Sequence, residues 1–267
     1  MENNICISLL TDFGLKNPYV GAMKGVIHSI CPESRIIDIS HSVKRWNIIE
    51  ASYILECSYK YFPKDTIFVV VIDPGVGTRR KPIVIKTENY IFVGPDNGVL
   101  IRAASMDDIL EIHEIKNRRY MLERISYTFH GRDIFAPVAA HIACGLDLDK
   151  LGPRITEYID SPIPNPRIKN NCIKGNVYFI DEFGNIATNI PATFLDKLKV
   201  SYSMCLRVKT SRGEYLIPFV KSFGYVKAGK PLLQINSCEK VELAINRGSA
   251  KDVFKLKPCE EIVICRD

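Results

Sequence analysis

The sequence predicts an α/β chain in two parts: a Rossmann-like layered α/β domain over residues 1–159, then a small all-β barrel over 171–267. Three observations lead there. Strand-like and helix-like patterns alternate through the first 150 residues, which is the signature of layered α/β folds. The run Thr66–Ile72 (TIFVVVI) is apolar and β-branched throughout, as a parallel strand buried on both faces requires. After DSPIPNPRIKN at 160–170, which has three prolines and no periodicity and is read as a linker, short strand-like runs separated by turn residues take over.

Each element has a local reason. Ile5–Leu10 is a short apolar strand. Asn17-Pro18 reads as a helix start, Asn as N-cap and Pro at the first helical position. Val20, Met23, Ile27 and Ile30 follow at helical spacing, and Pro32 stops the helix. Arg35–Ile39 is a second strand. Asn47 caps a helix carrying Ile48, Ala51, Ile54 and Leu55. Ile83–Lys86 and Tyr90–Val93 read as paired strands, and Ile134, Val138 and Ile142 mark a helix that ends at Gly145. In the second part, Asn176–Ile180, Met204–Lys209, Glu214–Pro218, Leu232–Ile235, Val241–Ile245 and Ile262–Cys265 read as strands, with one short helix near Thr193–Leu198. That set fits a small barrel or a sandwich. There is no internal repeat.

Composition excludes several function classes. The chain is 46% hydrophobic and 25% charged, so disorder is not expected. Its net charge of +6 is scattered, without the basic stripe interleaved with aromatics that nucleic-acid binders show. The nine cysteines form no CxxC pair and no zinc-type spacing. Most sit in apolar runs and read as small buried apolar side chains, which favours a reducing cytoplasm. The N-terminal Met-Glu-Asn-Asn has no basic leader character, and no run of about 18 apolar residues occurs. Secretion and membrane spanning are not expected.

Three loops follow strands in the first part, where open α/β sheets bind ligands. In Leu10-Thr11-Asp12-Phe13-Gly14, Asp12 can accept two hydrogen bonds from a ribose diol, or can equally be a turn residue bonding its own backbone. In Ile72-Asp73-Pro74-Gly75-Val76-Gly77-Thr78-Arg79-Arg80 the glycines permit close backbone approach, yet neither the Walker nor the GxGxxG spacing is present. Asp73 and Arg80 can converge on one small species, or can brace the loop as a structural pair. In Phe129-His130-Gly131-Arg132-Asp133, His130 stands at a helix entry, in either a structural or a reactive role. His28, His41, His113 and His141 have weaker contexts. In the second part, Phe183 and Asn185 of DEFGN (181–185) can stack on and pair with a base, Arg247 of AINRGSA (244–250) can hold a carboxylate, and the Gly-Ser-Ala backbone there can approach a ring edge.

Taken together, the segments ISLLTDFG, NPYVGAMKGVI, VVVIDPGVGTRR, VGPDNGVL, FHGRDIFAPVAAH, DEFGNIATNI and AINRGSA resemble the S-adenosylmethionine hydroxide adenosyltransferase family, a relative of the bacterial fluorinase and chlorinase. The resemblance runs nearly the whole chain, in order and with matching spacing. It implies cleavage of S-adenosylmethionine to adenosine and methionine without a metal or organic cofactor, by a homotrimer whose sites lie between subunits. It places the catalytic trio on Asp73, Arg80 and His130, the ribose carboxylate on Asp12, and an aromatic lid over the methionine part on Trp46. Adenine contacts fall on Phe183, Asn185 and the Ser249–Ala250 backbone, and methionine contacts on Asp181 and Arg247, with Asn246 beside them. One departure is Asn17, where many relatives have Asp.

The implied step is in-line displacement at the ribose 5′ carbon. Methionine leaves as a neutral thioether, so no acid is needed, and the trio has to prepare a water. Two other functions fit the same fold. A chlorinase-like halogenase would replace the acidic trio by a pocket that strips water from a halide. A non-catalytic adenosine-nucleotide sensor would bind without turnover and lack a trio member.

Overall fold

A computed structural model describes residues 5–266. Residues 1–4, the Met-Glu-Asn-Asn start that shows no basic leader character in sequence, and Asp267 lie outside the described residues. The chain forms two compact units, divided between Pro162 and Ile163.

The first unit holds strands β1 (Cys6–Thr11), β2 (Arg35–Ser40), β3 (Ile67–Val71), β4 (Pro82–Thr87), β5 (Ile91–Pro95) and β6 (Ile109–Glu114), with helices α1 (Tyr19–Ile30), α2 (Ile48–Ser58), α3 (Ile101–Met106) and α4 (Ala136–Ala143). The sheet order is β2-β1-β3-β5-β4-β6. Strands β2, β1, β3 and β5 are parallel, whereas β4 runs antiparallel to both its neighbours, so the sheet is mixed.

Every residue of β1 and β3 is buried. Because side chains alternate across a strand, Ile7, Leu9, Ile67, Val69 and Val71 pack with Met23, Ile27 and Val138 of α1 and α4. Leu10, Phe68 and Val70 face the other way, onto Ala51 and Leu55 of α2. This is the two-sided burial expected of TIFVVVI. Each such side chain contributes roughly 1.5–3 kcal/mol when fully buried.

Asn47 caps α2 as expected, its side chain accepting from the Glu50 N–H at 3.2 Å. The expected Asn17 cap is absent. Helix α1 begins at Tyr19, and Pro18, already in the right-handed region, occupies the cap position without a side-chain bond. Ile134 belongs to a π-helical turn, Gly131–Phe135, that precedes α4.

The second unit holds β7 (Arg167–Lys169), β8 (Cys172–Ile180), β9 (Ile186–Pro191), β10 (Cys205–Thr210), β11 (Gly213–Pro218), β12 (Pro231–Ile235), β13 (Lys240–Ile245) and β14 (Glu261–Cys265), with short helices α5 (Ala192–Lys197) and α6 (Ala250–Phe254). The order is β11-β10-β14-β8-β9-β13-β12, antiparallel throughout, with β7 on β8. The outer strands are linked just past β11, where the Val220 N–H donates to the Leu233 carbonyl at 2.9 Å. The result is a nearly closed barrel filled by Ile173, Val177, Leu206, Leu243 and Ile262. Within the Pro-rich segment 160–170, residues 167–169 form β7.

The reading of the cysteines needs correction. Cys6 and Cys31 are buried thiols, but Cys144, Cys205 and Cys259 are exposed, and Cys172 and Cys265 form a disulfide. The β8–β14 register sets those two directly opposite each other, a pairing made by tertiary structure across 93 residues. Among the described residues no helix is long and apolar enough to cross a membrane.

Candidate active site

Strands β1 and β3 are adjacent and parallel, with Thr11 opposite Val71. Asp12 leaves one and Asp73 the other just beyond that level, so both carboxylates emerge at the carboxyl edge of the sheet. The chain runs from β1 outward to β2, then crosses back to β3 on the other side of β1. Such reversals open a crevice between the two strands. A cleft of about 640 Å³ opens there, lined by Asp12, Asn17, Trp46, Asp73, His130 and several aromatic side chains.

Arg80 joins Asp73 to His130. Its Nε donates to both Asp73 oxygens at 2.9 and 3.0 Å, and its Nη2 contacts Asp73 Oδ2. The same Nη2 lies 2.9 Å from His130 Nδ1. Both ion-pair side chains are nearly buried, at 8% and 5% exposure, and the guanidinium also lies over the Phe135 ring. Arginine has only donors to offer, so His130 Nδ1 accepts, and in the neutral ring the proton sits on Nε2. Burial first, and then the Arg80 charge, hold His130 below its ordinary value of 6.5, against the opposing pull of Asp73 and Asp133. The neutral ring and the Arg80 bond are therefore consistent.

Two glycines let the loops meet. Gly77 has φ of +75°, and a Cβ there would stand 2.3 Å from the Tyr127 carbonyl oxygen. The Asp73–Arg80 loop thus lies directly on the segment that leads to His130. Gly131 opens the π-helical turn against Met23, Phe13 and Phe129. Turns of this kind recur at functional sites because they re-aim a side chain within a helix entry. Asp133, fully buried in that turn, accepts from the Ser126 N–H at 2.8 Å and from Arg132 Nε at 2.6 Å, holding the loop below His130 in place.

Asp12 accepts the Trp46 N–H through Oδ2 at 2.7 Å. Trp46 has φ of +61° and a side chain 69% exposed at the cleft rim. His41 supports the same loop: its ring bonds Thr11 Oγ1 at 2.8 Å and its carbonyl accepts from the Gly14 N–H. Phe13, Tyr19 and Phe129 form an edge-to-face triangle with centroids 5.1–5.7 Å apart on the cleft wall.

The residues expected to hold adenine and methionine cluster on one face of the second unit. Both Asp181 oxygens accept from Asn185, from its backbone at 2.8 Å and its amide at 2.9 Å. One amide hydrogen of Asn185 is thereby engaged. Gly184, at φ of +81°, turns the loop so tightly that a Cβ would strike Ser249, and its carbonyl accepts from the Lys251 N–H. The 181–185 and 246–251 segments thus form one surface. Phe183 is 81% exposed on it, and Arg247 is exposed in the left-handed region. Asn246 donates to the Val226 carbonyl, Ser249 caps α6, and the Ala250 side chain is buried, leaving only its backbone for a ligand.

Asp133 and His41 escaped the sequence reading. Asp133 had one signal, a carboxylate inside a helix entry in an apolar run. His41 had none, since its partner Thr11 lies 30 residues away.

The model of the SAM hydroxide adenosyltransferase N-terminal domain matches residues 7–152, and that of the C-terminal domain matches 175–263. An (R)-S-adenosyl-L-methionine hydrolase of Methanocaldococcus jannaschii is 37% identical over 268 residues, covering 97% of this chain and 95% of its own. A protein of the same name from Salinispora tropica is 34% identical over 96% of each chain. A fluorinase from an Actinoplanes species is more distant, at 27% over 96% of each. Among solved structures, an uncharacterized conserved protein from Thermotoga maritima superposes with a TM-score of 0.91 at 44% identity, covering 97% of this chain and all of its own. With both domains matched in order and relatives aligned end to end, the chain belongs to the SAM hydroxide adenosyltransferase family.

Proposed function

We propose that this protein hydrolyses S-adenosyl-L-methionine to adenosine and L-methionine. The observation that carries the proposal is the continuous Asp73–Arg80–His130 network, in which Arg80 joins two side chains of the cleft wall, Asp73 and His130. The carbon–sulfur bond at the ribose 5′ carbon breaks and its electron pair returns to sulfur, giving a neutral thioether. A carbon–oxygen bond forms to water, and the water's proton leaves to Asp73.

The geometry divides the labour. Nδ1 of His130 is occupied by Arg80, so the ring offers an N–H donor at Nε2, which orients a water oxygen. Asp73 is the acceptor for the water's proton. Arg80 fixes both and supplies positive charge that favours the hydroxide form. Asp12 accepts the ribose hydroxyls, and Trp46 covers the methionine part. Positioning of water, carbon and sulfur in line supplies the remainder of the rate. No residue need carry a negative charge against sulfur, because the sulfonium charge vanishes as the bond breaks. Asn17, a neutral residue on the cleft wall, is compatible with that.

Phe183, Asn185 and the Ser249–Ala250 backbone hold adenine in this proposal, and Asp181 and Arg247, with Asn246 beside them, hold the methionine end. The proposed assembly is a homotrimer in which a neighbour's second unit supplies these contacts. The 81% exposure of Phe183 supports a role in covering a ligand or a neighbour. The proposed substrate is an intracellular metabolite, which places the enzyme in the cytoplasm. The free thiols favour that placement; the Cys172–Cys265 disulfide does not.

Heavy-oxygen water provides the test. Turnover of S-adenosylmethionine by the purified chain should put the label in the adenosine 5′ hydroxyl. Halogenated nucleoside formed with chloride, or unlabelled adenosine, would overturn the proposal. The halogenase alternative is disfavoured by Asp73, whose charge repels a halide. For the shared site, mixed Asp12→Ala and Phe183→Ala chains should recover part of the activity that each lacks; no recovery after subunit exchange counts against it.

A further inference from the structure

Away from the cleft, three ligand-type side chains converge at the β6 edge of the first sheet. His113, in β6, has a side chain 1% exposed. Its Nδ1 lies 3.1 Å from the Gly152 carbonyl oxygen. A carbonyl can only accept, so Nδ1 carries a hydrogen, and in the neutral ring Nε2 holds the lone pair. That Nε2 is buried without a hydrogen-bond partner. It faces Glu111 Oε2 at 3.4 Å and Asp149 Oδ1 at 3.8 Å. A lone pair set against two carboxylates is repulsive until a positive charge comes between them.

The three donor atoms lie within 4.8 Å of one another. Donors held about 2.0–2.2 Å from a single zinc ion are spaced only slightly closer than this. The Nδ1–H bond to a carbonyl is also the outer contact by which metal-bound histidines are oriented. The charge at the site is currently supplied by Arg154. Its Nη2 contacts Glu111 Oε2 and its Nε lies 3.6 Å from Asp149 Oδ1. Lys86 Nζ is 3.9 Å from the other Glu111 oxygen. The Arg154 side chain is 64% exposed, so it can swing into solvent without disturbing the core.

We propose that Glu111, His113 and Asp149 form a site for one divalent transition cation of the zinc class, which displaces Arg154. One imidazole nitrogen with two carboxylates suits such an ion better than calcium or magnesium, which take oxygen donors. The ion would be structural. It would fasten the 149–154 segment more firmly to the β6 edge of the sheet, where the segment is already bridged to His113 through Arg154 and its Pro153 carbonyl accepts from the Glu114 N–H. A protonated His113 ion-paired with both carboxylates is the competing account, and zinc binding separates the two.

The experiment is calorimetric titration with zinc chloride, after alkylation of the exposed thiols Cys144, Cys205 and Cys259, with thermal melting in parallel. The wild-type chain should bind one equivalent, and its Tm should rise by roughly 5–10 °C at 100-fold excess over Kd. His113→Gln should weaken binding at least tenfold. So should Asp149→Asn, a residue 67% exposed whose replacement leaves the fold intact even if the His113 variant does not fold. Arg154→Ala should tighten binding, and an anomalous-scattering peak bonded to His113 Nε2 should locate the ion. Absence of binding, unchanged affinity in Asp149→Asn, or a peak elsewhere would overturn the site. Weaker binding by Arg154→Ala would overturn the displacement.

Discussion

Replacing Arg80 by lysine tests the proposed division of labour most directly. Lysine keeps the charge but has one ammonium group on a flexible stem, where arginine has a planar fork. In this chain the fork does two things at once: Nε and Nη2 hold Asp73, and Nη2 also reaches His130 Nδ1 at 2.9 Å. A lysine that stays on Asp73 gives up the His130 bond. A hydrogen bond from a charged donor contributes about 1.5–3 kcal/mol, which at about 1.4 kcal/mol per factor of ten is roughly 10–150-fold. The loss should fall on kcat, because Arg80 fixes the tautomer and direction of His130 and not the substrate. Adenosine release, followed chromatographically across substrate concentrations, separates kcat from KM. Nitrogen chemical shifts of His130 report the tautomer, with Nε2–H in the parent and a mixture in Arg80→Lys. A kcat within threefold of the parent, or a loss carried wholly by KM, would refute the reasoning.

Other outcomes follow from the same geometry. Because His130 is held below 6.5, the folded chain binds fewer protons than the unfolded chain just under that pH, so stability rises with pH through that window and levels off above it. The acid limb of kcat should likewise lie below pH 6.5, and a limb centred above it would contradict a neutral His130. Gly77→Ala puts a methyl 2.3 Å from the Tyr127 carbonyl at a positive φ; it should cost about 1–3 kcal/mol, read as a lower Tm, and reduce kcat as the two loops part. Trp46 is the sole tryptophan, so substrate that slides beneath it should shift intrinsic fluorescence to the blue, and an unmoved spectrum at saturation would sink its role as a lid. Asn47→Ala removes the α2 cap at about 1 kcal/mol, which should lower Tm by roughly 2–4 °C without changing KM.

What could be read from residues alone was what local physics decides. TIFVVVI could hardly be anything other than a strand buried on both faces, and Asn47 before an apolar helical pattern was a cap. IATNIP, in contrast, became the fully engaged strand β9 even though it carries a buried Asn189. That side chain is satisfied by the Asn176 N–H and the Pro164 carbonyl, partners no local pattern reveals. The trio was legible as two loaded loops, 73–80 and 129–133, but the 2.9 Å contact between Arg80 and His130 spans 50 residues and depends on a π-helical turn. The roles of acceptor and donor within it could be assigned only once that contact was in hand. Asn17 was misread because its neighbour Pro18 takes the cap position. The Cys172–Cys265 bond and the Glu111–His113–Asp149 cluster escaped for one reason: strand register and a returning loop bring their members together.

The contact of Gly77 with the Tyr127 carbonyl has a bearing on redesign. The two loops interlock like the halves of a clasp, so neither can be exchanged alone. A graft of the 73–80 loop from a relative must bring its 121–130 partner with it, or the donor loop will arrive with a shape its seat was never cut to receive. Libraries that vary the two segments together should therefore hold many more folded members than libraries that vary either one.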